Sequence, residues 1–220
     1  MKNGFLAVWV LIMTSSLFPA ENTETQAWFV ENISGRLTSN LSIWGQVHYR
    51  YSYDISDLAV HHSLLGVSYK MKPWLTLTPF MRIVHSSQGD PVLNRWSVEY
   101  RPSLDVKALG AVLPGMHNSY RCRLEYRDYP DKEEAWCIRQ QIELATRNKW
   151  TRLELQPVLS DEIFYQRNKD GFYRNWLCLG MSIKVSKTLK CVPFIMLESG
   201  LGDYAGCRKF IAGSRLKFAF

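Results

Sequence analysis

Residues 119–128 alternate strictly: Tyr120, Cys122, Leu124 and Tyr126 take one parity, and Arg121, Arg123, Glu125 and Arg127 take the other. Successive side chains point to opposite faces of a β-strand, so this stretch makes a ribbon with one apolar and one ionic face. The last stretch, 209–220, divides the same way, with Phe210, Ala212, Ser214, Leu216, Phe218 and Phe220 opposite Lys209, Arg215 and Lys217. Elsewhere Ile43, Val47, Tyr49, Tyr51 and Tyr53 oppose Trp44, Gln46, His48 and Arg50. Trp96, Val98 and Tyr100 oppose Arg95, Ser97, Glu99 and Arg101; Ile138 and Ile142 oppose Arg139, Gln141 and Glu143. Leu153, Leu155 and Leu159 oppose Arg152, Glu154 and Gln156, and Leu177, Leu179, Met181, Ile183 and Val185 oppose Arg174, Gly180, Ser182 and Lys184. A sheet built from such segments needs two different surroundings, one on each side.

Eleven segments read as strands: 27–37, 41–53, 59–71, 74–84, 92–101, 119–128, 136–144, 151–165, 172–186, 190–199 and 209–220. Strands of about 10 to 15 residues exceed the five or six usual in a sandwich and match what a tilted strand needs to cross a bilayer. In a soluble sandwich the ionic face would meet water. In a membrane barrel it lines the lumen, where Arg and Glu from neighbouring strands pair. A sheet in hydrocarbon must also close, because each unpaired backbone group there costs several kcal/mol. The expected fold is all-β: an antiparallel up-and-down transmembrane β-barrel with short periplasmic turns. Single-chain bacterial barrels use even strand numbers. The expectation is therefore 10–12 strands, with 12 favoured, the extra strand lying in 102–112 or just before 27. The 8 Trp, 11 Tyr and 10 Phe suit aromatic girdles at the two membrane interfaces.

Residues 1–20 stand apart. Lys2 gives a positive start, 5–13 is an apolar run, and Thr14, Ser15, Ser16, Pro19 and Ala20 supply small or turn-forming residues. This is the pattern of a secretory signal peptide, cut after Ala20 or after Ser16. The remaining 21–220 reads as a single barrel domain in the bacterial outer membrane. It contains no apolar run long enough for a membrane-spanning helix. The net charge of +7 favours anionic partners. The basic residues are spread at alternate positions and form no patch suited to nucleic acid. The five cysteines, Cys122, Cys137, Cys178, Cys191 and Cys207, have no metal-type spacing and read as small buried or lipid-facing residues, with one disulfide left open. Nothing calls for a cofactor or a metal.

A closing strand that ends on Phe resembles the C-terminal signature of bacterial outer-membrane barrels. That resemblance assigns Leu216, Phe218 and Phe220 as an insertion signal, with the outer-membrane barrel assembly machinery and the bilayer as partners. The order Asn94-Arg95-Trp96, the Arg121/Arg123/Glu125/Arg127 stripe, Glu162-Ile163-Phe164, then Arg174 with Gly180 resembles an uncharacterised bacterial outer-membrane β-barrel family catalogued only as a domain of unknown function. The resemblance implies a location and a fold and supplies no reaction. This chain departs from it in its cysteines and in the connection over 103–117, which reads as longer than usual.

Two kinds of site are candidates. The first is the lumen, lined by Arg95, Arg101, Arg121, Arg123, Arg127, Arg139, Arg152, Arg174, Arg215 and Lys217 against Glu99, Glu125, Glu143 and Glu154. Cations predominate, so a water-filled, porin-like interior would prefer small anionic solutes. A lumen shut by its own ion pairs is the competing expectation at this size. The second is His85-Ser86-Ser87, an H-x-S element. With Glu99 it resembles the spacing in barrel lipid A deacylases, which implies an outer-leaflet lipid acyl hydrolase. In such a site His takes the Ser proton and a carboxylate orients the His. By parity, however, Glu99 falls on the lumen face, and Gln88 stands where Asn is expected; Asp90 is the substitute orienter.

Overall fold

The computed structural model describes residues 23–52, 55, 57–87, 96–110, 115–129, 133–148, 150–169 and 171–220. Residues 1–20, Asp90, Asn94 and Arg95 lie outside them. Eleven strands follow one another: β1 (Thr23–Arg36), β2 (Leu41–Ser52), β3 (Asp57–Lys72), β4 (Leu75–Ser87), β5 (Trp96–Gly110), β6 (Met116–Arg127), β7 (Ala135–Thr146), β8 (Gln156–Gln166), β9 (Gly171–Lys184), β10 (Leu189–Gly200) and β11 (Arg208–Ala219). Each pairs antiparallel with its neighbours in sequence, and β1 pairs with β11 to close the barrel. The favoured twelfth strand is absent among the described residues. Residues 102–110 are the second half of β5, and the segment before 27 is the start of β1.

An odd count has a geometric consequence. The first and last strands of an odd up-and-down sheet run the same way, so β1 and β11 pair in parallel, from Thr23 opposite Arg208 to Ser34 opposite Ala219. The start of β1 therefore lies at the opposite end of the barrel from Phe220. At the C-terminal end are the ends of β1, β3, β5, β7 and β9 and the starts of β2, β4, β6, β8 and β10; we call this the turn end. At the other, the loop end, are the ends of β2, β4, β6, β8 and β10 and the starts of β3, β5, β7, β9 and β11.

Two stretches depart from the alternation. Pro102 does not end a strand, because β5 is in a gap of its ladder there. The pairing to β6 resumes at Ser103–Glu125, and an isolated bridge joins Tyr100 to Asp128 on the other side of the gap. A missing N–H costs nothing where no ladder bond is due. Conversely, 151–154 reads as strand and is turn. Trp150 and Leu155 exchange backbone hydrogen bonds at 3.0 and 2.8 Å, and Thr151 and Glu154 sit at φ of 64° and 48°, a left-handed backbone no strand contains.

The outer face is apolar between two aromatic belts. Tyr51, Trp96, Tyr100, Tyr126, Trp136, Tyr165 and Phe172 ring the loop end, with Phe29 edge-on to Tyr51 and Tyr165 edge-on to Phe172. Tyr69, Trp74 and Phe218 stand near the turn end. Leu65, Ile33, Ile43, Met81 and Ile142 fill the band between. Away from the rims the outward charges are acidic: Glu31 on β1, and Asp161 on β8, whose Oδ1 accepts a 2.6 Å hydrogen bond from Asn175 Nδ2. Cys122 and Cys191 are on this outer face, Cys137 and Cys178 are buried inside, and all five cysteines are unpaired. Leu65, midway along β3 and 63% exposed, tests what this face meets. Leu65→Arg is expected to cost about 2–4 kcal/mol of folding free energy in a bilayer, read from urea unfolding in lipid vesicles.

Candidate functional site

The inward parity of β4 to β8 carries long ionic side chains, and the register brings them together. Glu125, wholly buried at 0% exposure, meets four guanidinium groups. Arg139 is 3.1 Å away, Arg127 3.3 Å, Arg82 3.4 Å and Arg123 3.6 Å. Arg139 also grips Glu162 with two hydrogen bonds of 2.9 and 3.0 Å. Arg121 donates to the same carboxylate at 2.6 Å, and Arg123 forks onto Asp105 at 2.6 and 2.8 Å. Two-pronged Arg–carboxylate bonds fix orientation as well as charge. The result is one connected cluster of five arginines and three carboxylates spanning β4 to β8.

Aromatic rings pack around it. The Arg139 guanidinium lies 4.4 Å from the centre of Phe164 and 5.2 Å from Trp176; Arg123 lies 4.7 Å from Phe80. Across the barrel Arg50 sits 4.0 Å over Trp28, with His48 and His62 beside it. Trp28, Cys137, Phe164, Tyr173, Trp176, Cys178, Phe194, Met196 and Ile211 form one buried cluster. Glycine permits two of these contacts. A side chain at Gly66 would strike Phe80 Cβ at 2.6 Å, and one at Gly213 would strike the Trp28 carbonyl at 2.3 Å. Nearer the loop end, Arg101 clamps Glu99 at 2.5 Å, and Trp176 Nε1 donates to Glu198 at 2.6 Å, with Arg174 3.6 Å from that carboxylate. The loop half of the lumen is thus filled by protein.

The turn half is not. A cavity of about 700 Å³ runs from this packed layer to the turn end. Arg50, Lys107, Arg121, Lys190, Arg215 and Lys217 line it, with Asp105, Glu143 and Glu162 as its acids and Trp28, Trp44, Trp176 and Phe194 as its rings.

Of the lumen residues named from sequence, Arg121, Arg123, Glu125, Arg127, Arg139, Glu99, Arg101, Glu143, Arg174, Arg215 and Lys217 point inward. Arg152 and Glu154 do not line the lumen: both are in the 151–154 turn, Arg152 exposed and Glu154 paired with Lys184 at 2.7 Å. Sequence reasoning left Arg50, Arg82, Asp105, Lys107, Glu162, Lys190 and Glu198 out of the lumen set. Their inward parity was available for every one but Asp105 and Lys107, which fall beyond Pro102.

The His85, Ser87 and Glu99 constellation does not assemble. His85 and Ser87 are on the outer face of β4, whereas Glu99 is inside the barrel and held by Arg101. His85 instead stacks flat on His61, ring centres 4.5 Å apart, and Trp96 lies 5.3 Å from His61.

Residues 25–200 match the family model described as a protein of unknown function, DUF2490. The chain belongs to that family. The match spans the Arg121–Arg127 stripe and the Glu162-Ile163-Phe164 element, which in this DUF2490 barrel meet at the central cluster. Among curated proteins no match is found. Three solved structures are similar in shape. LpxR from Salmonella typhimurium has 10% identity over 86% of this chain and 87% of that one, TM-score 0.52. KdgM porin has 13% identity over 86% and 89%, TM-score 0.48. The β domain of the Bordetella autotransporter BrkA has 13% identity over 84% and 86%, TM-score 0.48. The likeness to LpxR shows the fold alone, that of an outer-membrane β-barrel.

Removing the carboxylate at the centre of the DUF2490 cluster leaves four guanidinium groups facing one another. Glu125→Gln is expected to lower stability by roughly 3–5 kcal/mol, the usual cost of orphaning buried charge. The check is the unfolding temperature followed by the gel shift between folded and heated barrel.

Proposed function

We propose that this chain is an outer-membrane barrel whose lumen is shut by its own side chains in the loop half and lined by cations in the turn half. What leaks through it prefers anions. The N-terminal segment directs export and is removed by a cut after Ala20 or after Ser16. The closing strand, with Leu216 and Phe218 outward and Phe220 at its end, is the segment read by the barrel assembly machinery.

One observation carries this reading: the packed layer around Glu125 crosses the whole lumen, while the cations beneath it outnumber the acids. Barrel size supports it. About eight strands leave room only for side chains and sixteen leave a water channel; eleven strands filled with Arg, Trp and Tyr fall between. A narrow passage lined by surplus positive charge admits anions ahead of cations.

Planar-bilayer recording tests both halves. The wild-type barrel is expected to pass currents far below those of an open porin, reversing at an anion-selective potential in a salt gradient. Trimming the layer with Phe164→Gly and Trp176→Gly together is expected to raise the conductance and keep the anion preference. Large, cation-preferring steps from the wild-type barrel would overturn the reading.

A further inference from the structure

We infer that the turn-end cavity is a binding site for a soluble organic anion carrying two or more carboxylate or phosphate groups, reached from the turn end of the barrel. This rests on the closed, cation-lined reading above and assigns that lumen a ligand.

The first ground is register. Lys190 on β10 and Lys217 on β11 are direct partners across the sheet, both pointing inward, and Lys184 on β9 is the next in the same row. On the opposite wall Lys107 faces Arg121 in the same way. Directly opposed like charges sit about 5 Å apart at their Cβ atoms and destabilise a sheet. The central cluster also opposes like charges, Arg123 to Arg139 and Arg82 to Arg101, but there Asp105, Glu125, Glu162 and Glu99 stand between them. In the cavity the acids are fewer. Lys184 has Glu154, and Arg121 has Glu162. Among the described residues, no carboxylate forms an ion pair with Arg50, Lys107, Lys190, Arg215 or Lys217. Glu143 is the one acid of the cavity outside the cluster, and it too is in no such pair.

The second ground is the shape and lining of the cavity. An anion with several oxygens placed between these cations would separate the like charges. The volume suits it, since a cavity of about 700 Å³ falls in the range of small-molecule sites, and the indole faces offer an apolar wall for a carbon skeleton.

Titration calorimetry and thermal unfolding of the detergent-folded full barrel, with citrate and with inorganic pyrophosphate as probes, test the site. Sodium chloride of matched ionic strength is the control, because simple screening also relieves repulsion. At least one probe is expected to bind at a single site and to raise the unfolding temperature above the chloride control; which one does so distinguishes carboxylate from phosphate preference. The Lys190→Gln/Lys217→Gln double variant is expected to lose affinity by about tenfold or more. In probe-free buffer it should be at least as stable as wild type, since a repelling pair is gone. Lys209→Gln, whose lysine pairs with Glu24 at the loop end, should bind as wild type does. Failure of both probes to exceed chloride, or unchanged binding by the double variant, would overturn the site. If bilayer currents are still small and anion-preferring, only the site falls; large cation currents would remove the parent reading as well.

Discussion

A sheet surrounded by hydrocarbon cannot keep an edge. Every N–H and C=O along an open strand would be without a partner, at several kcal/mol each. In this barrel the requirement is met by one parallel pairing, β1 on β11, over twelve residue pairs in continuous register. That pairing makes an odd strand number workable. It also separates the two ends of the chain, putting the start of β1 with the loops and the C-terminal Phe220 with the turns. Phe220 N donates to the Ser34 carbonyl at 3.0 Å, so the last residue is still part of the closure.

Closure fixes the circumference, and circumference decides what the interior must do. A lumen of eleven strands is too wide to be filled by aliphatic side chains and too narrow to stand open as a wide water channel. The chain fills half of it with its longest residues. Arginine is suited to this because its planar fork binds two carboxylate oxygens while its face rests on an aromatic ring. Arg139 does both at once, gripping Glu162 and Glu125 while lying against Phe164 and Trp176. Glu125 is the counter-charge on which four arginines depend, so the cluster is cooperative: no member can leave without exposing the others to repulsion.

The parity of side chains was legible in the sequence because period two is a strong signal and a one-residue slip would turn every charge into lipid. Arg121, Arg123, Glu125 and Arg127 could be put on one face from the alternation alone. Two kinds of information were not legible. Local backbone exceptions hid in ordinary residues: Pro102 looked like a stop, and 151–155 alternated like a strand although Thr151 and Glu154 adopt left-handed backbone without the glycine that usually marks it. Register was the other. Nothing in the linear order says that Glu162 on β8 comes within 3 Å of Arg121 on β6 and Arg139 on β7, or that Lys190 faces Lys217.

Register is also where the two halves of the lumen part company. Both halves place cation opposite cation across neighbouring strands, an arrangement that raises the energy of an empty sheet. In the loop half, carboxylates from β5, β6 and β8 are inserted at the right heights, and the repulsion becomes a lattice of ion pairs. In the turn half the inward positions hold serine, glutamine and lysine instead, Ser160 on β8, Gln141 on β7 and Lys190 on β10, with Glu143 the one acid outside the cluster. The sheet there is stable in spite of its charges, held by backbone hydrogen bonds, the lower aromatic belt and the packed layer above it. The same alternation thus yields a layer of matched Arg and Glu in one half and, in the other, a cation-rich cavity with Glu143 as its one acid outside the cluster.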